Sequence, residues 1–214
     1  GIARDITEIK NAENEKKRRL EKIEAYNNST KKLSTTDFST YNNLNTVIDY
    51  IIKEASTVSQ SNRVSFWKYS RDLITCKNLY SVDNQDLNDK NILNKESYPI
   101  YFETLKNKAI INAPDVFNKL ETSEFETLYF TKNKIKSMLD VPIFLSGQLA
   151  GVVCFESTEE QRDWDNEDIN YARTISDVVS LAISMQMRLE TERRLEFKSQ
   201  LLSSLSLCTE KFLM

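Results

Sequence analysis

The side chains of this chain that could do chemistry are its cysteine thiols and a short acidic run at 156–160. The three cysteines, Cys76, Cys154 and Cys208, are widely separated in the sequence. A thiolate can act as a nucleophile or redox centre, but zinc and iron–sulfur sites built from cysteine need closely spaced pairs, which are missing here. The odd number and the scatter predict reduced thiols and a cytoplasmic location. The acidic run has no second acid at a fixed spacing, so it predicts no acid–base pair.

The chain contains no histidine. This excludes Ser-His-Asp and Cys-His catalysis and the ligation of zinc or haem iron by imidazole. The only glycines are Gly1, Gly147 and Gly151, so neither a P-loop nor a G-x-G-x-x-G turn can be built. We predict no catalytic residue and no metal site, and we expect this fragment not to be an enzyme.

Charge and hydropathy exclude two classes of partner. The 214 residues carry a net charge of -3 and contain no apolar run near the ~20 residues of a membrane span. Without a basic patch the chain has nothing to attract nucleic acid. We expect no nucleic-acid partner and no membrane span within this segment.

Both ends of the chain show apolar residues at the three- and four-residue steps of a helix. The N-terminal helix is predicted to begin near residue 6 and the C-terminal helix at 166. Such narrow apolar stripes are typical of a two-stranded coiled coil, although a solvated helix would show them too. We predict a parallel homodimer whose interface contains Ile9, Leu20, Ile23, Leu189, Leu195 and Leu202.

The middle of the chain predicts a mixed α+β domain at 33–185. Strands are expected at 63–70, 71–82, 109–111 and in the hairpin 137–157, and helices at 38–58, 100–106 and 122–131. The polar stretch 82–96 is expected to be a loop. A proline inside 137–145 predicts an edge strand or a bulge there. Gly147 should supply the positive φ of the hairpin turn, and Gly151 marks a place where another backbone, a bulge or a ligand comes close.

The hairpin SMLDVPIFLSGQLAGVVCFES and the following RDWDNEDINYARTISDVVSLAI resemble the C-terminal half of a bacterial GAF domain. The upstream strand RVSFWKY and the segment YPIYFETLKNKAIINAPDV are similar to that family as well. The opening GIARDIT resembles the closing motif of a PAS domain, so residues 1–32 are expected to be the end of a PAS-like domain with a linker helix. Residues 186–214 would then lead towards a downstream domain.

The GAF resemblance implies an antiparallel sheet of about six strands flanked by helices, with a pocket between the sheet and the segment 95–137. It also implies a regulatory role, in which dimeric helices relay a signal to an effector such as a histidine kinase or nucleotide cyclase. The alternative is a ligand-free dimerisation or spacer domain. The residues expected to line the pocket are Phe66, Tyr98, Phe102, Ile111, Tyr129, Met138, Val153 and Phe155.

The nature of the ligand stays open at this point. The signature of cyclic-nucleotide-binding relatives is kept only at Asp168, so a cyclic nucleotide is not expected. Bilin-binding relatives attach the chromophore to a cysteine that is usually followed by histidine. Because histidine is absent and Cys76 and Cys154 lie on predicted strands, we do not expect a bilin. A redox enzyme on the same fold would require one unusually reactive thiol.

Overall fold

The computed structural model describes residues 2–41, 43–83, 92–125 and 129–212, and the side chains of residues 9–203 within these ranges. The helices are α1 (Ile2–Thr35), α2 (Leu44–Ser59), α3 (Pro99–Lys106), the single turn α4 (Thr131–Asn133) and α5 (Asn166–Phe212). The strands are β1 (Arg63–Ser70), β2 (Leu73–Ser81), β3 (Ile92–Asn94), β4 (Ile111–Ala113), β5 (Ser137–Leu145) and β6 (Gln148–Ser157). Two 3-10 helices span Phe38–Thr40 and Leu120–Phe125.

The six strands form one antiparallel sheet in the order β3-β2-β1-β6-β5-β4. Its central strands are buried on both faces, because the sheet has a layer of helices on each side. We call the side that packs on α1, α2 and α5 the helix face, and the opposite side, which packs on α3, the Leu120–Phe125 turn and α4, the cover face. The predicted α+β fold with about six antiparallel strands and long terminal helices is confirmed.

The helix face holds the larger apolar core. Asn43 caps the start of α2, and its side chain accepts a hydrogen bond from the backbone N–H of Thr46, 3.0 Å away. From there Ile48, Ile51 and Ala55 recur at helical spacing and are fully buried. They belong to one apolar cluster with side chains from β5, β6 and α5. The apolar residues whose helical spacing predicted this helix therefore form the surface that packs on the sheet.

Several boundaries differ from the prediction. α1 is helical from Ile2, four residues before its predicted start near residue 6, and continues without a break to Thr35. The expected loop at 82–96 contains β3, and residues 84–91 lie outside the described part. The expected strand at 109–111 begins two residues later, at Ile111. The expected helix at 122–131 is replaced by the 3-10 helix Leu120–Phe125 and the turn α4, with residues 126–128 outside the described part.

The proline of β5 was expected to mark an edge strand or a bulge, and the structure shows a register shift beside it, between Ile143 and Phe144. β5 lies between β6 and β4, but β4 pairs only with residues 138–140. At Pro142 one side of β5 therefore has no partner strand among the described residues, which is where a sheet tolerates a residue without an N–H group.

The two hairpin glycines have different roles. Gly147 has φ +78° and forms the turn, as predicted. Gly151 lies inside β6, where a Cβ atom would be 2.5 Å from the carbonyl oxygen of Trp67 and 2.8 Å from a ring carbon of Phe66. Close packing against β1 accounts for this glycine, and the pairing of β5 with β6 shifts register beside it, between Ile143 and Phe144. Of the three alternatives, the structure therefore shows both the approach of another backbone and a bulge.

Candidate functional site

The cover face of the sheet carries a row of polar side chains at its centre. Arg63 of β1, Asp140 of β5, and Cys154 and Glu156 of β6 are all buried. Successive side chains of a strand point to opposite faces, so the apolar residues between them form the core on the helix face. Charged groups that lie inside a domain are costly unless they are paired, and this row is therefore the candidate site. We call these four residues the floor.

One end of the floor is a closed ion pair. The Nε of Arg63 donates to Glu156 Oε2 over 2.9 Å, and the Tyr129 hydroxyl donates to Glu156 Oε1 over 2.8 Å. Arg63 also donates to Asn133 Oδ1 over 3.2 Å. Each oxygen of the Glu156 carboxylate thus has a donor, so this end of the floor is satisfied without a ligand.

The other end of the floor is incomplete. The Tyr101 hydroxyl donates to Asp140 Oδ2 over 2.6 Å, whereas Asp140 Oδ1 is buried and has no hydrogen-bond partner. Burial raises the pKa of Asp140 to about 7, although the nearby Cys154 thiol and the hydrogen bond from Tyr101 act in the opposite direction. A buried carboxyl group with a free oxygen is uncommon in folded proteins and is a recognised mark of a functional position.

The thiols near the floor are not activated. Burial raises the pKa of Cys76 to about 12, and burial together with Asp140 raises that of Cys154 well above its usual range. Nucleophilic cysteines have a lowered pKa and partial exposure. These two thiols therefore do not support the redox-enzyme alternative, and the side chain of Cys208 lies outside the described residues.

The layer above the floor is built from aromatic side chains. Tyr98 stacks on Phe125 with ring centroids 4.6 Å apart, and Tyr101 meets the same ring edge-on at 4.8 Å. Glu124 accepts hydrogen bonds from the backbone N–H groups of Ile100 and Tyr101, both at 3.0 Å, and so caps the start of α3. α3 and the Leu120–Phe125 turn are thereby joined into one unit, which we call the cover. Tyr101 connects the cover to the floor.

The structure divides the predicted pocket residues between the two faces. Tyr98, Phe102, Ile111, Tyr129 and Met138 lie on the cover face. The remaining three, Phe66, Val153 and Phe155, lie on the helix face in the core with α2 and α5.

Strand alternation explains the division, because the cover-face positions of β6 are Cys154 and Glu156. The polar residues of the floor and Tyr101 were missed. A charged residue inside an otherwise apolar strand, such as Asp140 in SMLDVPIFL, is the signal that could have found them.

The predicted interface residues lie on the two long helices. Ile9 and Leu20 of α1 and Leu195 and Leu202 of α5 are each more than half exposed. Ile23 and Leu189 are half-buried.

The two helices contact each other beside the sheet. Tyr26 of α1 stacks on Tyr171 of α5 and donates a hydrogen bond to Asp168, and the Ser29 and Tyr171 hydroxyls are 2.8 Å apart. Lys22 adds a salt bridge to Asp168 at 2.8 Å. We call this set of contacts the clasp.

Two grooves flank these helices. One, of about 600 Å³, is lined by both acidic and basic side chains between α1, the end of α2 and the segment 157–162. The other, of about 510 Å³, is mainly apolar and lies between the end of α1 and Val178–Arg188 of α5. Among the described residues, no group of acidic or cysteine side chains could hold a metal ion. None of their helices combines the length and apolar character of a membrane span.

α5 is hydrogen-bonded to the strand that carries Asp140. The Ser176 hydroxyl donates to the carbonyl of Pro142, and the Ser180 hydroxyl donates to the carbonyl of Phe144, both over 3.2 Å. β5 thus presents a buried carboxyl group on one face and is attached to a 47-residue helix on the other.

A six-stranded antiparallel sheet with a layer of helices on each face places the domain in the class of GAF-like α+β folds. The sequence model of the GAF domain matches residues 43–183, and the chain belongs to the GAF family. It is therefore a sensor module of the kind found in signalling proteins, and this fragment is not an enzyme by itself. No curated protein sequence matches the chain.

Solved structures share this fold at low sequence identity. The GAF domain of a phosphoenolpyruvate-protein phosphotransferase from Coxiella burnetii is 11% identical with a TM-score of 0.64, over 80% of this chain and 98% of that one. The phycocyanobilin-bound GAF domain of a cyanobacterial phytochrome is 16% identical with a TM-score of 0.64, over 75% and 94%. A far-red-absorbing domain with bound biliverdin is 14% identical with a TM-score of 0.61, over 76% and 99%.

These structures contradict the expectation against a bilin. That expectation rested on the absence of histidine and on the burial of Cys76 and Cys154, which concern how a chromophore is attached. Neither observation tests whether the fold can bind a bilin, and domains of this same fold have bilins bound.

Proposed function

We propose that this chain is the regulatory module of a multidomain signalling protein. In this proposal a small molecule binds between the floor and the cover and shifts the cover. That shift is passed through β5 to α5. A parallel homodimer carries it along α5 to an effector such as a histidine kinase or nucleotide cyclase, in the cytoplasm.

The observation that carries the proposal is the double attachment of β5. Asp140 bonds to Tyr101 of the cover, and two residues further along the strand the Pro142 carbonyl accepts a hydrogen bond from Ser176 of α5. A shift of the cover would reach α5 through one short piece of strand. Packed helices change state by shifts of about 1–2 Å or by small rotations, so a short rigid connection suits this purpose.

Exposed apolar side chains support the dimer. Leu181 is 65% exposed, and Leu195 and Leu202 are 61% and 58% exposed, all on α5. The part of α5 beyond residue 185 extends on the order of 40 Å and is surrounded by charged residues rather than by the domain. A second copy of the same helix would cover these leucines at heptad spacing.

The proposal includes a domain on each side of the GAF domain, an upstream PAS domain and a downstream effector. GIARDIT resembles the closing motif of a PAS domain and stands directly before the GAF fold, which supports an upstream PAS domain in the same chain. The direction of α5, away from the sheet, supports a downstream effector.

A second candidate is the spacer domain without a ligand. It is favoured by the close packing around the cover, since Phe102 of α3 and the neighbouring Phe130 are fully buried and the rings of Phe125 and Phe130 lie 5.5 Å apart. In that case α1 and α5 would act by dimerisation alone.

Native mass spectrometry of freshly purified protein separates the two candidates. The sensor predicts a dimer with an added mass that is lost on denaturation, whereas the spacer predicts a bare dimer. A bare monomer would contradict the dimer in both proposals.

The relay has its own test. Spin labels at exposed Lys198 of both copies, in a chain with Cys208→Ser, report the distance between the two α5 helices. We expect that distance to change when the retained molecule is removed, and the change to be lost in Ser176→Ala/Ser180→Ala. Ser184→Ala is the matched control, because its hydroxyl bonds within α5. An unchanged distance would contradict the relay.

A further inference from the structure

The unpaired oxygen of Asp140 indicates what kind of ligand would complete the floor. Asp140 is fully buried, and its Oδ1 has no donor. A buried acceptor that lacks a hydrogen-bond partner destabilises the folded state, so the folded chain bears a cost that a donor at this position would remove. The missing group is therefore a hydrogen-bond donor.

The charges around Asp140 indicate that this donor is positive. Arg63 is already paired with Glu156, and the charged group that acts on Asp140 is Glu156, a second anion. When Asp140 is ionised the floor has one negative charge in excess, and a buried charge requires a partner of opposite sign. The ionisable groups that face this region are Tyr101 of α3, Tyr129, Arg63 of β1, Cys76 of β2, and Cys154 and Glu156 of β6.

The cover supplies a suitable surface for such a ligand. The faces and edges of Tyr98, Tyr101 and Phe125 lie above the floor and contact one another. Aromatic faces attract cations as well as apolar bodies. A carboxylate at the base of an aromatic layer therefore favours an organic cation over an anion or a neutral sugar.

We propose that Asp140 is the anchor of the sensor site and that its ligand is a small organic cation, a primary amine or an amidine on an apolar body, whose N–H group donates to Asp140 Oδ1. This inference rests on the proposed function, because it names the ligand class of the same site. The apolar body takes the place of cover side chains, so binding moves the cover relative to β5.

The test uses benzylamine as the probe and benzyl alcohol as its neutral counterpart of nearly equal size. Isothermal titration calorimetry at pH 8 is expected to show benzylamine binding at least about tenfold more tightly, since a charge-assisted hydrogen bond is about twice as strong as a neutral one. Below pH 7 the affinity for benzylamine should fall by about tenfold per pH unit, because Asp140 must lose its proton first. Titrations in two buffers of different ionisation heat should then show the release of one proton.

Variants test whether the preference for benzylamine depends on Asp140. Asp140→Asn keeps the shape and removes the charge, and it should abolish both the preference for benzylamine and the proton release. Asp140→Leu is a second variant in case the asparagine does not fold. Asp115→Asn is the matched control, because Asp115 is a partly exposed carboxylate outside the floor that accepts a hydrogen bond from Asn118.

Three results of the benzylamine titrations would overturn this inference. They are equal affinity for the two probes, benzylamine binding that Asp140→Asn leaves unchanged, and no binding of benzylamine at millimolar concentration. A different molecule retained in native mass spectrometry, with affinity independent of Asp140, would also overturn it and would leave the proposed sensor function standing. A fixed distance between the α5 helices would instead contradict the proposed function.

Discussion

Tyr26 of α1 and Tyr171 of α5 stack with ring centroids 4.1 Å apart and ring planes within 1° of parallel. The hydroxyl of Tyr26 reaches Asp168 at the start of α5, and Arg162 donates to the same carboxylate over 2.8 Å. The helix that enters the domain is thus attached directly to the helix that leaves it. This contact bypasses the sheet, so the two long helices are coupled even without a ligand.

Removing the hydroxyl of Tyr26 should weaken the clasp without removing the stack. We expect Tyr26→Phe to lower the free energy of unfolding by about 1–2 kcal/mol, because a hydrogen bond to a charged group is lost while Arg162 still serves Asp168. Tyr26→Ala should cost about 3–5 kcal/mol, since the buried ring is lost as well. Urea unfolding followed by circular dichroism measures both. Tyr41→Phe, outside the clasp, is the control, and equal stability of Tyr26→Phe and wild type would show that the bond to Asp168 contributes nothing.

Gly151 should tolerate no larger residue. We expect Gly151→Ala to cost about 3 kcal/mol or more, because the added Cβ would lie 2.5 Å from the backbone carbonyl of Trp67, which cannot move away as a side chain can. Gly147→Ala is the matched control, with nothing within 4 Å of the new Cβ. It should cost only about 1 kcal/mol for the positive φ. Thermal unfolding of the two variants gives the comparison, and similar losses at both sites would contradict the crowding.

Asp140 should make the protein less stable as the pH rises. Its pKa is about 7 in the folded chain and near 3.9 when unfolded, so the folded state holds the proton more tightly between these values. The contribution of Asp140 to the free energy of unfolding is therefore complete below the unfolded pKa of about 3.9. It is lost as the pH rises through the folded pKa of about 7, by on the order of 4 kcal/mol in total.

Urea unfolding at pH 5, 6, 7 and 8 tests this. The difference between wild type and Asp140→Asn should change steadily with pH and level off above pH 7. A constant difference would mean that Asp140 is ionised throughout the range.

Arg63 and Glu156 should stabilise the folded state as a pair, and either residue should destabilise it when the other is removed. Glu156→Gln leaves a buried guanidinium without its counter-charge, and we expect a loss of about 3–5 kcal/mol. The double variant Arg63→Met/Glu156→Leu should lose clearly less than the sum of the two single changes, because no buried charge remains. A double-mutant cycle on unfolding free energies provides the measurement, and strict additivity would contradict the pairing.

The end of α5 should hold the proposed dimer together. We expect Leu195→Gln/Leu202→Gln to raise the dimer dissociation constant by about 100-fold. Each copy would lose two leucines that the proposed dimer half-buries, so four would be lost from the interface. The domain core should remain folded, because both side chains are exposed in one copy. Sedimentation velocity reports the oligomer, with Lys198→Gln as the control. The same dimer in the double variant would show that this stretch is not the interface.

Much of the fold follows from local pattern. The alternation in RVSFWKYS and the hairpin around Gly147 are properties of a few neighbouring residues, and β1, β5 and β6 were predicted on them. β3 was missed because three residues are too short to show a period. The start of the predicted helix 122–131 is a 3-10 helix instead. Glu124 in this turn accepts hydrogen bonds from the start of α3, a contact that no local pattern contains.

The candidate site was less predictable than the fold. The predicted lining consisted of eight apolar and aromatic residues, and three of them face α2 and α5 instead of the cover. The register of β1 and β6 decides the face of Phe66 and Phe155, and a single residue of shift would reverse it. The pairing of Asp140 with Tyr101 joins residues 39 positions apart, which no local pattern contains.

The attachment of α5 to β5 has a consequence for how this domain can diversify. Ser176 and Ser180 bond to backbone carbonyls, which every amino acid provides. The side chains on the cover face can therefore be exchanged, and a new chemical specificity acquired, without any loss of the contacts that lead to the output helix. One transmission element could in this way serve descendants that detect quite different molecules.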